Sequence, residues 1–275
     1  MDFIGLDDIL LNALREDIGT GDLTTISCIP AENRSEGVFI AKESGVLCGL
    51  EVAARVFALV DKDISLSLLR KDGDKVSKGE VFAKISGPSR GILTGERVAL
   101  NLMQRLSGTA TAAAKAADAV KGTKARVVDT RKTTPSLRVL EKYAVRTGGC
   151  YNHRFNLADG VLIKDNHIKA AGSIEKAVKA ARNAVPHLMK IEVETENLSQ
   201  VQQALDAGAD IIMLDNMTNE QMAKAVTLVN GRAITEASGN MGEKDLRKVA
   251  ETGVDFISIG ALTHSVKALE ISLKF

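Results

Sequence analysis

The chain has 275 residues, 45% of them hydrophobic and 26% charged, with a formal net charge of +1. That length suits one large barrel, or a small domain joined to a medium one. The near-neutral balance leaves no overall field to draw in nucleic acid or an anionic membrane, and 3% aromatic residues without tryptophan argue against stacking platforms for single-stranded nucleic acid.

The acidic opening MDFIGLDDIL lacks the basic region of a signal peptide, and no apolar run approaches the ~20 residues that span a bilayer. Cys28, Cys48 and Cys150 lie far apart, without metal-ligand spacing, and read as reduced thiols of a cytoplasmic protein.

Leu6, Ile9, Leu10, Ala13 and Leu14 recur at the spacing of one helical stripe. Strands, a helix over EVAARVFALV and tight Asp-Gly turns then make a small α+β region ending near Gly95. From Glu96 to Val120 the pattern is helical, with a break expected at Ser107-Gly108. After it, short apolar runs appear at ARVVD, GVLIKD, MKIEVE, DIIMLD, AITEAS and DFISIG, with amphipathic helices between. Thr134 and Pro135 stand where an N-cap and a first-turn proline belong, ahead of Leu137, Leu140 and Ala144. Ser173 and Asn197 are further N-caps, Gly208 ends a helix, and Thr218-x-x-Gln221 is a capping box. Strands alternating with helices imply a parallel sheet, and nearly continuous apolar runs imply burial on both faces. Six βα units suggest an α/β barrel, complete or partial, with an open doubly wound sheet as the alternative; no Gly-x-Gly-x-x-Gly follows a strand.

Barrel active sites lie at the carboxyl ends of the strands. There the chain carries Asp129 to Lys132, Lys164 and Asp165, Glu194, Asp215 and Asn216, Glu236 to Asn240, and Gly260 to Ala261. The run VVDTRKTTP packs an acid, hydroxyls, an arginine and a lysine directly after two valines, as a site for an anion would. Small residues at Ser238, Gly239, Gly260 and Ala261, in the last two units, let backbone N–H groups approach a phosphate. Glu194 and Asp215 can hold Mg²⁺, accept hydrogen bonds from sugar hydroxyls, or pair with Lys132 or Lys164 in a rim salt bridge. His153 and Arg154, with Arg131, form a second cationic group, suited to two-point contacts with carboxylates. His187 reads as structural, His264 as a cap in the last loop, and His167 stays open.

Taken in order, EDIGTGDLTT, GERVALNLMQRLSG, DTRKTTPSLRVLEKYAVRTGG, NHRFNLADGVLIKDNHI, LDN, EASGN and GVDFISIGALTHS run over nearly the whole chain. They resemble the quinolinate phosphoribosyltransferase family. The resemblance implies an N-terminal α/β sandwich with an interface helix over residues 1–108 and an incomplete parallel α/β barrel over 109–275, the C-terminal tail packing on the first domain. It implies transfer from phosphoribosyl pyrophosphate to quinolinate, with Mg²⁺ as cofactor, giving nicotinate mononucleotide, pyrophosphate and CO₂. It also implies a homodimer or multiple of dimers, with Arg97 donated across the interface. Arg131, His153 and Arg154 would grip the quinolinate carboxylates, with Thr130 among the substrate-binding positions. Lys132 and Lys164 would meet carboxylate or pyrophosphate, and Glu194 and Asp215 would face ribose hydroxyls and Mg²⁺. Ser238, Gly239, Asn240, Ile259, Gly260 and Ala261 would hold the 5-phosphate. Asp129 is given no catalytic role and at most orients Arg131.

The chain departs from the family pattern where Asn240 and Ser136 stand for glycines, and where Cys150-Tyr151 replaces smaller residues. Two alternatives stand beside this reading. One is a relative of different specificity of the molybdenum-transport-associated type, which tends to lose the KDNH pattern present here as Lys164 to His167. The other is a barrel aldolase forming a Schiff base on Lys164.

Overall fold

A stripe of leucines one turn apart begins the fold. Leu6, Leu10 and Leu14 are the buried positions of α1 (Leu6–Ile18), with Ile9 and Ala13 packed half-buried beside them. The computed structural model describes residues 4–275, so Met1–Phe3 of the acidic opening lie outside the described residues. Asp22 caps α2 (Leu23–Cys28) by accepting the Thr25 N–H at 3.0 Å. There follow β1 (Arg34–Ala41), β2 (Gly45–Val46), α3 (Leu50–Val60), β3 (Ser65–Leu68), β4 (Lys75–Val76) and β5 (Val81–Pro88). β12 (Ile271–Lys274), from the far end of the chain, joins β1 to give an antiparallel sheet of order β12-β1-β5-β3, while β2 pairs with β4. Phe39 meets Phe57 edge-on at 6.2 Å and Phe82 at 6.1 Å, and all three are buried. In a chain poor in aromatic residues, these rings anchor the core of the unit.

One helix, α4 (Ser89–Ala119), runs unbroken for 31 residues. It starts ahead of the expected Glu96 and passes straight through Ser107-Gly108, where a break is expected. The small pair serves close approach instead. The Ser107 hydroxyl accepts the Cys48 N–H at 2.9 Å and donates to the Cys48 carbonyl at 3.1 Å. A Cβ on Gly108 would stand 2.3 Å from the Lys267 carbonyl oxygen.

α5 (Arg138–Thr147) also departs from expectation. Its N-cap is Leu137, not Thr134, and no side chain caps it. Ser136 has a left-handed backbone (φ 65°), which stops helix from growing out of Pro135. The Thr134 N–H instead donates to the Glu141 carboxylate at 2.9 Å.

The chain forms two compact units that interleave. One holds residues up to Ala114, then 134–149 and 266–275; the other holds 115–133 and 150–265. No single cut in the chain separates them. α5 belongs with the first because Tyr143 donates to Asp72 at 2.9 Å, Arg105 donates to Glu141 at 2.7 Å, and Gly148 lies against the Ala110 carbonyl.

The second unit is a parallel sheet of β6 (Arg126–Val128), β7 (Val161–Ile163), β8 (Ile191–Thr195), β9 (Ile211–Asp215), β10 (Ile234–Ser238) and β11 (Phe256–Ser258). Its order is β6-β11-β10-β9-β8-β7. Chain neighbours pair from β7 to β11, and β6 lies beside β11, which is the order of an incomplete barrel and not of a doubly wound sheet with a reversal. The returns are α6 (Asp165–Ala171), α7 (Ile174–Ala184), α8 (Leu198–Asp206), α9 (Asn219–Val229), α10 (Leu246–Glu251) and α11 (Ala261–His264). Ser173, Asn197 and Thr218 cap α7, α8 and α9 as expected, with Gln221 completing the box, and Gly208 follows α8 in a left-handed conformation. Among the described residues no helix is long and apolar enough to cross a membrane. The cysteines are free thiols, Cys48 and Cys150 buried and Cys28 exposed.

Ser107→Ala leaves the buried N–H and carbonyl of Cys48 without their partner. The expected cost is about 1–3 kcal/mol, read as a lower urea midpoint; an unchanged midpoint contradicts this role for the hydroxyl.

Candidate active site

Residues two apart on a strand share a face, so each barrel strand sends side chains inward in two levels. The upper level, at the strand ends, holds Thr130, Lys164, Glu194, Asp215, Ser238 and Gly260; the lower holds Leu162, Glu192, Met213, Glu236 and Ser258. All of these except Glu192 line one pocket of about 610 Å³, together with Arg131, Lys132, His153, Arg154, Gly239, Asn240 and Ala261. Two expected site residues are not among its lining. Ile259 is buried, and its N–H donates to the Val128 carbonyl at 2.9 Å. Arg97 is exposed on α4 in the first unit.

The cationic group is set by Asp129, which is fully buried. It accepts the His153 N–H at 2.8 Å and the Asn152 side-chain amide at 2.6 Å. Residues 151–153 lie along β6, with Tyr151 N–H donating to the Val127 carbonyl at 2.9 Å and Asp129 N–H to the Tyr151 carbonyl at 3.1 Å. Asp129 therefore positions the His153-Arg154 segment beside Arg131. Arg154 donates to the Gly160 carbonyl at 2.7 Å. Burial lowers its guanidinium pKa, the like charge of Arg131 adds to this, and Glu192 and Asp159 oppose it. Two guanidinium groups lining one pocket have the donor geometry to meet two adjacent negative groups.

The Lys164 ammonium lies 3.3 Å from Glu194. Burial, first of all, raises the Glu194 carboxyl above its ordinary pKa; Asp215 and Asp165 add to the rise and Lys164 works against it. Asp215 accepts the Asn216 side-chain amide at 2.6 Å. Two carboxylates at the mouth of one pocket are hard oxygen donors of the kind that Mg²⁺ takes.

Below them His153 Nε2 lies 3.2 Å from Glu192 and 3.6 Å from Glu236. These three side chains bring one ligand atom each within 4.8 Å of one another. However, the Arg154 N–H donates to His153 Nδ1 at 2.8 Å. In the neutral ring the proton then sits on Nε2, which leaves no lone pair there for a metal. Burial raises the Glu236 carboxyl well above the usual carboxylate range, and Glu192 adds to the effect.

The opposite wall is backbone. Gly239 is left-handed (φ 92°), and a Cβ on it would stand 2.2 Å from Asn216 Oδ1 and 2.7 Å from Asn216 N. Asn240 follows at φ 50°, a conformation asparagine tolerates. A Cβ on Gly260 would stand 3.1 Å from Lys132 Cδ, so the Lys132 stem passes over this loop, and Thr263 donates to the Lys132 carbonyl at 2.8 Å. Glu236, Ser258, Asn216 and His264 also line the pocket. An acid inside an apolar strand run, as in IEVE and ITEAS, was the available signal for Glu192 and Glu236. His264 pairs with Ser265 Oγ at 2.6 Å.

Residues 22–107 match the family model "Quinolinate phosphoribosyl transferase, N-terminal domain", and residues 109–274 match its C-terminal counterpart. The chain is similar to the probable nicotinate-nucleotide pyrophosphorylase [carboxylating] of Bacillus subtilis, 48% identical over 99% of this chain and 94% of that protein. It is also similar to the chloroplastic nicotinate-nucleotide pyrophosphorylase [carboxylating] of Arabidopsis thaliana, 46% identical over 98% and 82%. Among solved structures, NadC from Streptococcus pyogenes superposes with a TM-score of 0.93 at 45% identity, covering 100% of this chain and 98% of that one. The nicotinate-nucleotide pyrophosphorylase from Ehrlichia chaffeensis gives 0.95 at 39% identity, covering 99% of each.

Gly239→Ala forces Asn216 aside. Turnover is expected to fall at least tenfold, as misplacement of a site wall by about 1 Å does, with circular dichroism unchanged; full turnover contradicts close packing of the loop.

Proposed function

The chain belongs to the quinolinate phosphoribosyltransferase family, and we propose that it transfers the phosphoribosyl group of phosphoribosyl pyrophosphate to quinolinate with loss of CO₂. The products are nicotinate mononucleotide and pyrophosphate, a step in pyridine nucleotide synthesis. The observation that carries this reading is the single pocket in which Arg131 and Arg154 face Glu194 and Asp215, with the Gly239 and Gly260 loops beside them.

Quinolinate bears two neighbouring carboxylates, which suit the paired guanidinium groups of Arg131 and Arg154, with Thr130 beside them. His153 supports that wall; its Nδ1 accepts a backbone N–H and its Nε2 faces Glu192. The 5-phosphate is read into the Ser238–Asn240 and Gly260–Ala261 loops, where backbone donors are close and side chains small. Glu194 and Asp215 would hold Mg²⁺, which when bound neutralises pyrophosphate charge. The same carboxylates face the ribose hydroxyls and stabilise positive charge developing at the ribose C1. Lys132, whose stem crosses the Gly260 loop, and Lys164 supply further cationic charge to pyrophosphate or carboxylate.

The ring nitrogen, held in line by the arginines, forms the new bond to C1 as the C1–oxygen bond to pyrophosphate breaks. The C2–carboxylate bond then breaks, and the electron pair stays on C2 beside the cationic nitrogen. Relatives at 43–48% identity bear the carboxylating pyrophosphorylase or decarboxylating phosphoribosyltransferase names, which favours this chemistry over an aldolase or a molybdenum-transport relative. Lys164 is paired with Glu194, an arrangement the aldolase reading does not call for. The reading extends to a cytoplasmic enzyme, dimeric or built from dimers, in which Arg97 of one subunit completes the site of the other. The exposure of Arg97 on α4 supports that extension.

Carboxyl-labelled quinolinate with phosphoribosyl pyrophosphate is expected to release labelled CO₂ in the presence of Mg²⁺ and to cease doing so with excess chelator; no release by folded protein refutes the assignment. Mixing an Arg97→Ala protein with an Arg131→Ala protein is expected to restore part of the activity as subunits exchange. If exchange occurs and nothing is restored, Arg97 is not shared.

A further inference from the structure

The lower level of the barrel holds ionisable groups for which binding of the two substrates has no use. Glu192 on β8 and Glu236 on β10 face each other across His153, and each keeps one buried carboxylate oxygen, Oε1, without a hydrogen-bond partner. Orphaned buried oxygens are costly unless a charge is removed or the group has work to do. Burial pushes the Glu236 carboxyl well above the usual carboxylate range, so this group keeps a proton.

The tautomer of His153 does not disturb this. Arg154 N–H occupies Nδ1, so the ring proton is on Nε2, nearer to Glu192 (3.2 Å) than to Glu236 (3.6 Å). The ring N–H is directed to Glu192, and Glu236 at 3.6 Å lies beyond hydrogen-bond distance of it. The surroundings agree. β9 presents Met213, β11 the Ser258 hydroxyl, and β7 Leu162 with Lys164 above it; Arg154 and Arg131 close the remaining side. Glu236 is 4% exposed yet lines the pocket floor, while Glu192 lies behind it.

We propose that Glu236 is the acid that protonates C2 of the pyridine ring as CO₂ leaves, with His153 beside it as the positioning residue. This rests on the transfer reading above, which puts the carboxylate-bearing edge of quinolinate at Arg131 and Arg154, next to His153. The C2–carboxylate bond breaks, CO₂ departs, and its electron pair remains on C2. The Glu236 O–H bond breaks and its proton forms the C2–H bond. Glu236 is left as a carboxylate and regains a proton from water when product leaves. Without the donor, the C2 carbanion recaptures CO₂, so net CO₂ release slows while pyrophosphate formation does not.

Glu236→Gln keeps the shape of a neutral carboxyl and removes only the acid. In a single turnover with quinolinate, phosphoribosyl pyrophosphate and Mg²⁺, pyrophosphate formation is expected to stay within about threefold of the parent, while CO₂ release falls at least tenfold, the lower end of what a positioned acid contributes. In the unaltered protein, CO₂ release is expected to slow in D₂O and pyrophosphate formation to keep its rate, a readout that needs no variant. Equal slowing of both products in Glu236→Gln, unchanged CO₂ release, or no solvent isotope effect on CO₂ in the parent overturns the inference. A parent that forms neither product refutes the transfer reading itself, an outcome distinct from these.

Discussion

Opposed charges around one half-buried pocket are the constraint on which the rest of the second unit depends. The like charge of Arg131 makes the Arg154 guanidinium costlier to charge, and that of Asp215 does the same to the Glu194 carboxylate. Burial makes both of these charges costly, and opposite charge nearby offsets it: Glu192 and Asp159 beside Arg154, and Lys164 beside Glu194. Asp129 holds this balance in place from behind. Buried at the end of β6, it accepts the hydrogen bonds that draw Asn152 and His153 in beside that strand, and Arg154 follows. Arg131 follows β6 and Arg154 follows the segment that pairs with β6, and that one carboxylate holds the segment in place.

Much of this was legible from residue order. Parallel strands put their carboxyl ends on one rim, so DTRK, KD, LDN, EASGN and IGA declared themselves by position alone. Helix starts were legible where the cap is local: Ser173, Asn197 and Thr218 each bond to an N–H two or three residues on. Features decided by distant partners were not legible. Ser107-Gly108 looks like a helix break until Cys48 and the Lys267 carbonyl occupy the space it clears. Thr134 looks like a cap until Glu141 takes its N–H and Ser136 turns left-handed. The two departures from family glycines, Ser136 and Asn240, both fall at positive φ, which explains why glycine suits those positions.

The lower level was hidden for a different reason. A strand buried on both faces reads as a continuous apolar run, and a single acid within it passes for a strand end. Glu192 and Glu236 are separated from the rim by the period of the pleat, so they lie below the rim and not on it. The upper level holds half-buried and exposed charged groups such as Glu194, Asp215 and Lys164, while Glu192, Glu236 and Ser258 below them are buried. A phosphoribosyl transfer followed by loss of CO₂ needs both environments in one cavity, and two-residue periodicity supplies them.

The claim that paired arginines recognise a dicarboxylate is tested most directly by calorimetric titration of the protein with quinolinate and with nicotinate, which lacks the second carboxylate. A charge-assisted contact of about 1.5–3 kcal/mol predicts quinolinate bound roughly 10–100-fold more tightly, with the difference abolished in Arg154→Gln. Equal affinity for the two acids, or a preference unaffected by that substitution, contradicts the account.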